Sequence, residues 1–543
     1  MREYGVWSIS FAAVAITRIA ALSRSMWDWD EALFCLGVRH YDVPAYRPHP
    51  PGFPLFIGAA KLLRPIAGSD FHALQWISLL AACSLFPLAY LLARELRFSK
   101  ESSFLAALLF VFFPTVWFYG GTAFSDIPAL ALSLGAALSF FRGYWAWGAL
   151  LLGIAIGVRP QSLLLGGAPF LTFAWSQRKE WKRIAAAIAV VTAIAATSYV
   201  GAALSSPSLE AYGASVAKQG RYIYDVDSIA NPARASMTVA ARELLLRPMA
   251  GGRLSIVVCA LALVGLAAVR QGPRVVLACA TFAPFAIFAL FMLDVNSAHR
   301  FATAYLFLYA LLAAEGARLL TARLPGVAQA VVIATIVGRY VWWTWPALAV
   351  VRSSDSPPVA AMRSLRAADV DFSLEPFAGY FLADRASAPA VMEGLTPAAS
   401  ARVFARPRGR AWEIARHRHF EVSIVPPEDR WTFGNGWYDQ EDDGRHAWRW
   451  MGGRGVATLP ALADRGRLSL TIESVAPRAT VEVRVDGALL DRFECTPQGT
   501  TKEWRIAANH AVTLELWTSA IARVPGDPRT LGLRLTRYDW RSI

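Results

Sequence analysis

The sequence predicts a polytopic α-helical membrane protein of about eleven transmembrane helices, followed by an extracytoplasmic C-terminal region. Of its 543 residues, 55% are hydrophobic and 17% are charged, whereas soluble domains average about 45–50% and about 25%. The apolar residues gather in blocks whose length suits a bilayer crossing of roughly 17–25 residues. After residue 351 the blocks stop and apolar residues alternate with polar ones, a pattern that is typical of β-strands.

Eleven apolar blocks predict the transmembrane helices. They lie near residues 5–23, 71–93, 103–118, 127–141, 144–158, 161–176, 184–205, 254–269, 275–293, 301–317 and 326–350. Short loops rich in Lys and Arg remain in the cytoplasm. With the N-terminus inside, the four such loops, near 94–100, 178–183, 270–274 and 318–323, all fall on that side. The outer side then holds the loops 24–54, 119–126, 206–252 and 294–300, and the chain after 351.

The stretch 51–63 does not fit a crossing. It is short, begins with Pro-Pro-Gly-Phe-Pro and contains Lys61. We expect a helix that lies at the outer membrane interface.

The net charge of +14 comes from basic residues that are dispersed between the apolar blocks. Such charges set topology and meet lipid headgroups, so we predict no nucleic-acid partner. The five cysteines form no metal-binding spacing. Cys35 and Cys495 both fall on the predicted outer side, which leaves a disulfide between them open.

The C-terminal part is predicted in two regions beyond a transmembrane domain of residues 1–351. Residues 352–429 mix a helix with short apolar runs and predict a small α/β region. Residues 430–543 predict a β-sandwich, since Val481 and Val483 alternate with polar residues up to a turn at Asp486-Gly487. Trp437 and Trp450 in this region either stack on sugar rings or pack in the core.

Three acids, Asp28, Asp30 and Glu31, directly follow the first apolar block. Ionisable groups beside a membrane span are costly. Such a cluster can bind a metal, act as a general base or attract a cation, and the alternative is a solvated acidic loop.

The other outer loops add residues of complementary charge. They provide His49, Asp126, Lys218, Arg221 and Arg300. Each also has a structural interpretation. The histidine lies between prolines, and the aspartate precedes Ile-Pro as a helix N-cap does. The structural alternatives for the three cations are a solvated loop, a helix cap and contact with lipid phosphate.

Acids that face cations at one membrane surface suit sugar transfer from an anionic lipid. The cations stabilise the phosphate that leaves, and one carboxylate removes the proton from the attacking hydroxyl. Asp30 is our candidate for this general base.

The order of these motifs resembles the GT-C glycosyltransferases. Asp30-Glu31 after the first span and His49-Pro50-Pro51 before an interfacial helix are similar to bacterial lipid A aminoarabinose transferases and protein O-mannosyltransferases. The resemblance covers residues 1–350. It implies that Asp30 is the catalytic aspartate, that His49 lies beside the donor phosphate, and that the basic segment 218–222 and Arg300 belong to the site.

The resemblance completes the expected site. Catalysis is assigned to Asp30 and Glu31, substrate binding to Asp28, His49, Asp126, Lys218, Arg221 and Arg300, and a possible divalent metal ion to Asp30 and Asp126. Pro48-His49 stands where the aminoarabinose transferases have Glu-Lys, so their zinc site is not expected. The MIR repeats of eukaryotic mannosyltransferases are also missing from the sequence.

The predicted function is inverting transfer of a sugar from a polyprenyl-phosphate donor to an envelope glycan, glycolipid or protein outside the bacterial inner membrane. Three alternatives remain. A lipid or sugar transporter requires ionisable groups near mid-span, for which Arg18 is the candidate. A non-catalytic glycan-binding assembly protein would tolerate replacement of Asp30. An oligosaccharide ligase would use a pyrophosphate-linked donor.

Overall fold

The computed structural model describes most of the chain. The described residues are 2–232, 234–247, 249, 253–268, 273–325, 327–356, 359, 376–382, 402–405, 420–423, 431–442, 447–462, 464–507, 509–523 and 529–542. They belong to two compact units, the first comprising Met1–Val359 with Pro407–Arg418 and the second Ala360–Arg406 with His419–Ile543. A further division of the second unit at residue 430 stays a prediction.

Helices form the regular secondary structure of the first unit within its described residues, and loops connect them. Its α-helices are α1 Arg2–Ala20, α2 Trp29–Arg39, α3 Pro54–Ala67, α4 Asp70–Glu95, α5 Lys100–Val111, α6 Pro114–Tyr119, α7 Asp126–Phe141, α8 Trp145–Val158, α9 Ser162–Ser176, α10 Trp181–Leu204, α11 Leu209–Tyr222, α12 Met237–Ala241, α13 Arg253–Ala268, α14 Pro273–Met292, α15 Ala298–Ala302, α16 Leu306–Leu320 and α17 Val327–Ser353. Two π-helical turns, Ile223–Asp227 and Arg242–Leu246, and a 3-10 turn, Val295–Ser297, complete it.

Four of the described helices are long and apolar enough to cross a membrane. They are α4, α10, α14 (over Val275–Met292) and α17. Shorter apolar helices lie at Trp7–Ala20, Asp126–Phe141, Trp145–Val158, Ser162–Ser176 and Arg253–Ala267. The chain is a membrane protein, and the count of eleven spans stays a prediction.

Helix α3 covers most of the stretch predicted to lie at the outer interface, and that location stays a prediction. Its 14 residues span about 21 Å at 1.5 Å per residue, which is less than the roughly 30 Å of a hydrocarbon core. Leu62 and Ile66 are exposed on it, as a helix that rests on lipid requires.

The block 103–118, predicted as one span, is broken into α5 and α6. Phe113 has an extended ψ of 130° and Pro114 opens the new helix, because proline suits a first helical turn and lacks the N–H needed inside a helix. The Val111 carbonyl at the break accepts a hydrogen bond from the Nη2 of Arg18, whose side chain is fully buried.

The block 301–317 is also broken, into α15 and α16. Thr303, Ala304 and Tyr305 donate their N–H groups three residues back along the chain, which tightens the backbone into a 3-10 turn. The five-residue α15 is therefore separate from α16, and its His299 and Arg300 are buried.

The second unit is rich in antiparallel β-structure. It contains helix α18, Pro376–Leu382, and the strands β1 Arg402–Ala405, β2 Phe420–Ser423, β3 Thr432–Phe433, β4 Trp437–Asp442, β5 Ala447–Met451, β6 Arg454–Leu459, β7 Arg465–Ser474, β8 Ala479–Val485, β9 Ala488–Cys495, β10 Thr500–Ala507, β11 Val512–Thr518, β12 Ala522–Arg523, β13 Thr530–Leu531 and β14 Leu533–Ser542. Two five-stranded sheets run in the orders β10-β7-β14-β5-β4 and β3-β6-β11-β8-β9, beside the pairs β1-β2 and β12-β13.

Both five-stranded sheets bury their alternating apolar side chains in one cluster, which includes Leu470 from the first sheet and Val483 from the second. The predicted turn is confirmed, because Asp486 and Gly487 have φ of 48° and 84° between the paired strands β8 and β9. Trp437 packs against the cluster, as the core interpretation expects.

The structure answers the question of a disulfide between two cysteines that the sequence left open. Cys35 and Cys495 are both free and buried, so they form no disulfide. Each fills an apolar position, Cys35 within α2 and Cys495 within the sheet cluster.

Candidate active site

The acidic motif lies at the N-terminus of α2, and two of its three acids cap that N-terminus. The carboxylate of Asp28 is the N-cap and accepts the Asp30 N–H at 3.0 Å. Glu31 Oε2 accepts the Asp28 N–H at 3.0 Å in return, which completes a capping box. The Asp30 carboxylate takes no part in this cap, and Asp28 Oδ1 also lies 3.9 Å from Arg300 Nη1.

Glu31 also fastens the first outer loop to the second. Its Oε2 accepts the Trp27 N–H at 2.6 Å and its Oε1 accepts the Ala123 N–H at 2.7 Å. Burial raises the pKa of Glu31 to about 8, although these N–H groups act in the opposite direction. The side chain is fully buried, and it positions two loops rather than facing the site.

Asp30 meets the cation of a distant segment. Its Oδ2 accepts a hydrogen bond from the Nη1 of Arg300, 270 residues away, and its Oδ1 lies 3.7 Å from the Nδ1 of His49. Burial alone would raise the pKa of Asp30, but the charge of Arg300 and its hydrogen bond hold the pKa well below its usual range. Asp30 is therefore ionised.

Asp126 extends this cluster on the other side of Arg300. Its Oδ2 lies 4.0 Å from Arg300 Nε and accepts a hydrogen bond from Arg159 Nη1 at 2.9 Å. Asp126 is the first residue of α7, whose N-cap is Ser125, so the N-cap interpretation is wrong. Carboxylates and guanidinium groups thus alternate from Asp30 to Arg159, all of them buried or half-buried.

Arg159 was missed in the sequence analysis. It directly follows α8 and donates to Ser125 Oγ at 3.1 Å as well as to Asp126. The signal was present, because the two-residue gap between the blocks 144–158 and 161–176 lies on the outer side in the predicted topology. From the sequence alone, a single arginine in so short a gap is interpreted as a turn residue. Only the folded structure shows that it is buried.

His49 lies in an aromatic setting beside the acid. Its ring is 4.8 Å from that of Phe53 and 5.8 Å from that of Phe34, centroid to centroid. Burial lowers the pKa of His49, although Asp30 acts to raise it. The imidazole is therefore neutral at pH 7 and offers a hydrogen bond rather than a charge.

Lys218 and Arg221 lie on α11, and both are exposed. The same helix is tied to the segment around His49, since Tyr212 Oη donates to the Pro51 carbonyl at 3.1 Å and Gln219 Oε1 accepts from Tyr46 Oη at 3.2 Å. Within the described residues, neither cation forms an ion pair with the acids of the cluster. Both stay predictions as substrate-binding residues.

The geometry of the site disfavours the metal ion that the sequence analysis allowed between Asp30 and Asp126. Arg300 lies within 4.0 Å of both carboxylates and occupies the position between them. Across the part of the chain that the structure describes, no three His, Cys, Asp or Glu side chains are grouped to hold a metal. The residues present fit a guanidinium group better than a cation from solution.

No family model matches this chain, and no curated protein matches it. Among solved structures, it is similar to ArnT from Cupriavidus metallidurans in the apo state, with 14% identity and a TM-score of 0.40 over 70% of this chain and 75% of that one. ArnT bound to undecaprenyl phosphate gives 12% identity and a TM-score of 0.42 over 69% and 74%.

A second similarity is to the arabinosyltransferase EmbB from Mycobacterium smegmatis, with 11% identity and a TM-score of 0.37 over 98% of this chain and 64% of that one. All three solved structures are less than 15% identical to this chain. Because their TM-scores lie below 0.5, the function of this chain is inferred from its own site.

Proposed function

We propose that this protein is a membrane glycosyltransferase that moves a sugar from a polyprenyl-phosphate donor to a hydroxyl group outside the cytoplasm. The observation that supports this most is the meeting of Asp30 with Arg300 and His49. This contact brings the ionised carboxylate of Asp30 next to the guanidinium group of Arg300 and the neutral imidazole of His49. All three lie at helix ends that the predicted topology puts outside. A base beside a phosphate-binding group is what such a transfer needs.

In the proposed reaction the acceptor hydroxyl oxygen attacks the anomeric carbon. The bond from that carbon to the phosphate oxygen breaks, and the polyprenyl phosphate leaves with the electron pair. Asp30 takes the hydroxyl proton. One displacement of this kind inverts the configuration at the anomeric carbon.

Arg300 links donor binding to the strength of the base. In the structure it neutralises Asp30, which makes Asp30 a weak base. The phosphate of the donor can accept two hydrogen bonds from Arg300, the bidentate pairing that guanidinium groups prefer. As Arg300 turns to the phosphate, Asp30 loses part of its stabilisation, its pKa rises, and it becomes a better base.

The remaining residues hold these two groups in place. Asp126 and Arg159 form a buried pair beside Arg300, Asp28 and Glu31 fix the start of α2, and His49 can donate a hydrogen bond to the phosphate. We assign Glu31 a positioning role, in place of the catalytic role expected from the sequence.

The setting follows the predicted topology. We propose that the site and the C-terminal unit lie outside the cytoplasm of a bacterial inner membrane, and that the two five-stranded sheets form the predicted β-sandwich. The acceptor is then a glycan, glycolipid or protein of the envelope. The transporter alternative loses its candidate residue, because Arg18 has a structural partner in the Val111 carbonyl.

Purified protein in lipid nanodiscs, supplied with a panel of polyprenyl-phosphate sugars and a hydroxyl acceptor, tests the proposal. We expect transfer from at least one donor. Arg300→Ala should lower kcat about 100- to 1,000-fold, the usual cost of losing one group that stabilises developing charge. Arg300→Lys should not restore it, because a single ammonium cannot pair with two oxygens.

Two comparisons sharpen this test. Arg221→Ala, on the exposed part of α11, should change KM more than kcat. Lys179→Ala, in a loop predicted to be cytoplasmic, should match the wild type. Normal kcat and KM in both Arg300 variants would place the phosphate elsewhere.

A further inference from the structure

A basic cluster lies where α2, α3 and α4 meet. At its centre is Asp70, the first residue of α4, whose side chain is only 3% exposed. The Nε of Arg64 in α3 lies 2.6 Å from Asp70 Oδ1, and the Nε of Arg39 in α2 lies 3.5 Å from Asp70 Oδ2. One buried acid therefore holds two guanidinium groups next to each other.

The two arginines of the cluster remain open to their surroundings although their positions are fixed. The side chain of Arg39 is 40% exposed and that of Arg64 is 51% exposed. The single charge of Asp70 leaves these three residues with a net charge of +1, and residues 39–72 as a whole carry four basic and two acidic side chains. Because neighbouring like charges repel each other, an anion placed against both guanidinium groups stabilises the arrangement.

A lysine and two apolar side chains extend the cluster along α3. Lys61 lies three residues before Arg64, and its Nζ is 5.5 Å from the centre of the Tyr41 ring. Leu62 and Ile66, one helical turn apart, are largely exposed. The outer surface of α3 thus combines cations with apolar side chains, the composition of helices that lie on an anionic lipid surface.

We propose that this cluster binds the phosphate headgroup of an anionic phospholipid from the surrounding bilayer. The guanidinium groups of Arg39 and Arg64 hold the phosphate, since their planar arrays of donors pair with its oxygens. Leu62 and Ile66 lie against the acyl chains. A soluble acidic partner would satisfy the cations but leave both apolar side chains in water, whereas a phospholipid satisfies both.

The donor of the proposed reaction is also an anionic lipid, but the cluster lies away from the proposed base. Asp30 is near the N-terminus of α2 and Arg39 is its last residue, so about 14 Å of helix axis separates them at 1.5 Å per residue. A phosphate held at Arg39 is too far away for an anomeric carbon bonded to it to reach Asp30. The ligand is therefore a phospholipid of the bilayer, and its binding does not require that the protein transfers sugar.

Native mass spectrometry of the full-length protein in a neutral detergent tests the inference. The probes are a phosphatidylglycerol, a phosphatidylcholine with the same acyl chains, and a polyprenyl phosphate. We expect the wild type to bind phosphatidylglycerol more tightly than phosphatidylcholine, whose choline group cancels the charge of the phosphate. Added salt should reduce this preference. Equal binding of the two phospholipids would overturn the inference.

Two variants locate the site. Lys61→Gln and Arg64→Gln should each weaken phosphatidylglycerol binding by roughly three- to tenfold, the effect of one basic side chain near an anionic lipid surface. Phosphatidylcholine binding should stay nearly the same. Because Lys61 is exposed, its variant should fold normally even if Arg64→Gln, which takes a close partner from the buried Asp70, is destabilised.

Arg505→Gln, the same loss of charge at an exposed position of β10, is the matched control and should bind both phospholipids as the wild type does. A full preference for phosphatidylglycerol in both Lys61→Gln and Arg64→Gln would place the lipid elsewhere and overturn the inference.

Polyprenyl phosphate separates this site from the proposed reaction site. Its Kd should be unchanged in Lys61→Gln, and phosphatidylglycerol should not displace it from the wild type. If Lys61→Gln weakens both ligands equally, the cluster belongs to the donor site and the inference fails. If the preference for phosphatidylglycerol depends on Lys61 but no sugar is transferred, the lipid site stands and the glycosyltransferase proposal fails alone.

Discussion

Asp30 and Glu31 are adjacent in the chain, yet their carboxylates meet opposite surroundings. Successive residues of a helix point about 100° apart, so Glu31 turns toward the backbone N–H groups of Trp27 and Ala123 while Asp30 faces Arg300. Burial raises the pKa of the first, and the cation holds down that of the second. Neighbouring acids with separated pKa values are typical of sites that divide structural and chemical tasks.

The pH dependence of stability should reveal the buried Glu31. Its pKa is about 8 in the folded protein against 4.5 for an ordinary glutamate. The folded state therefore holds more protons, and the stability this provides is complete below about 4.5 and lost as the pH rises through about 8. Thermal unfolding in detergent from pH 6 to 9 should show a falling Tm for the wild type and a weaker fall for Glu31→Gln. Parallel curves for the two proteins would contradict this.

The sequence predicted most of the clustered residues but not their pairing. Asp30, His49, Asp126 and Arg300 were expected at one membrane surface because their loops share a side. Lys218 and Arg221 met the same criterion and are exposed instead. Topology fixes the side of the membrane on which a residue lies, whereas the direction of its side chain depends on packing between helices that hydropathy does not describe.

At the scale of elements, the two outer loops are held together by a close backbone approach. A Cβ atom added at Gly121 would lie 2.7 Å from the Ala21 carbonyl oxygen. Ser23 donates its N–H to the Gly121 carbonyl at 3.0 Å, and Gln75 Nε2 donates to the same carbonyl at 2.8 Å. This contact brings the Ala123 N–H within reach of Glu31, on which the orientation of Asp30 depends.

Gly121→Ala should therefore disturb the geometry of the site although Gly121 is not one of its residues. A methyl group forced against backbone should cost about 1–3 kcal/mol and shift the loop that holds Glu31. We expect a lower Tm and reduced transfer. Gly167→Ala, where nothing lies within 4 Å of an added Cβ, should do neither. Equal behaviour of the two variants would show that the close approach is not needed.

Two predicted spans were wrong as continuous helices, and the reasons differ. Pro114 could have indicated the break after α5, since proline opens helices. The break between α15 and α16, in the segment of Thr303, has no such residue, and its 3-10 turn follows from tertiary packing. That second break positions Arg300, so the site depends on a feature that composition alone does not indicate.

For the whole molecule, the central expectation is that all residues of the site lie on one side of the membrane. Single cysteines placed at Arg221 and Ser400 should react with an impermeant reagent from outside intact cells. A cysteine at Lys179, in a loop predicted to be cytoplasmic, should react only after the membrane is opened. A cysteine at Ser400 that is reachable only from the cytoplasm would overturn the eleven-span arrangement.

The most direct test of the account is sugar transfer by Asp30→Asn. The amide keeps the shape of the carboxylate but cannot take the proton, and loss of a general base costs typically 100- to 10,000-fold in rate. We predict that the variant folds and binds donor while kcat falls by about that factor. Near-normal turnover by Asp30→Asn would contradict the account, and the base would then be sought at Asp28 or Glu31.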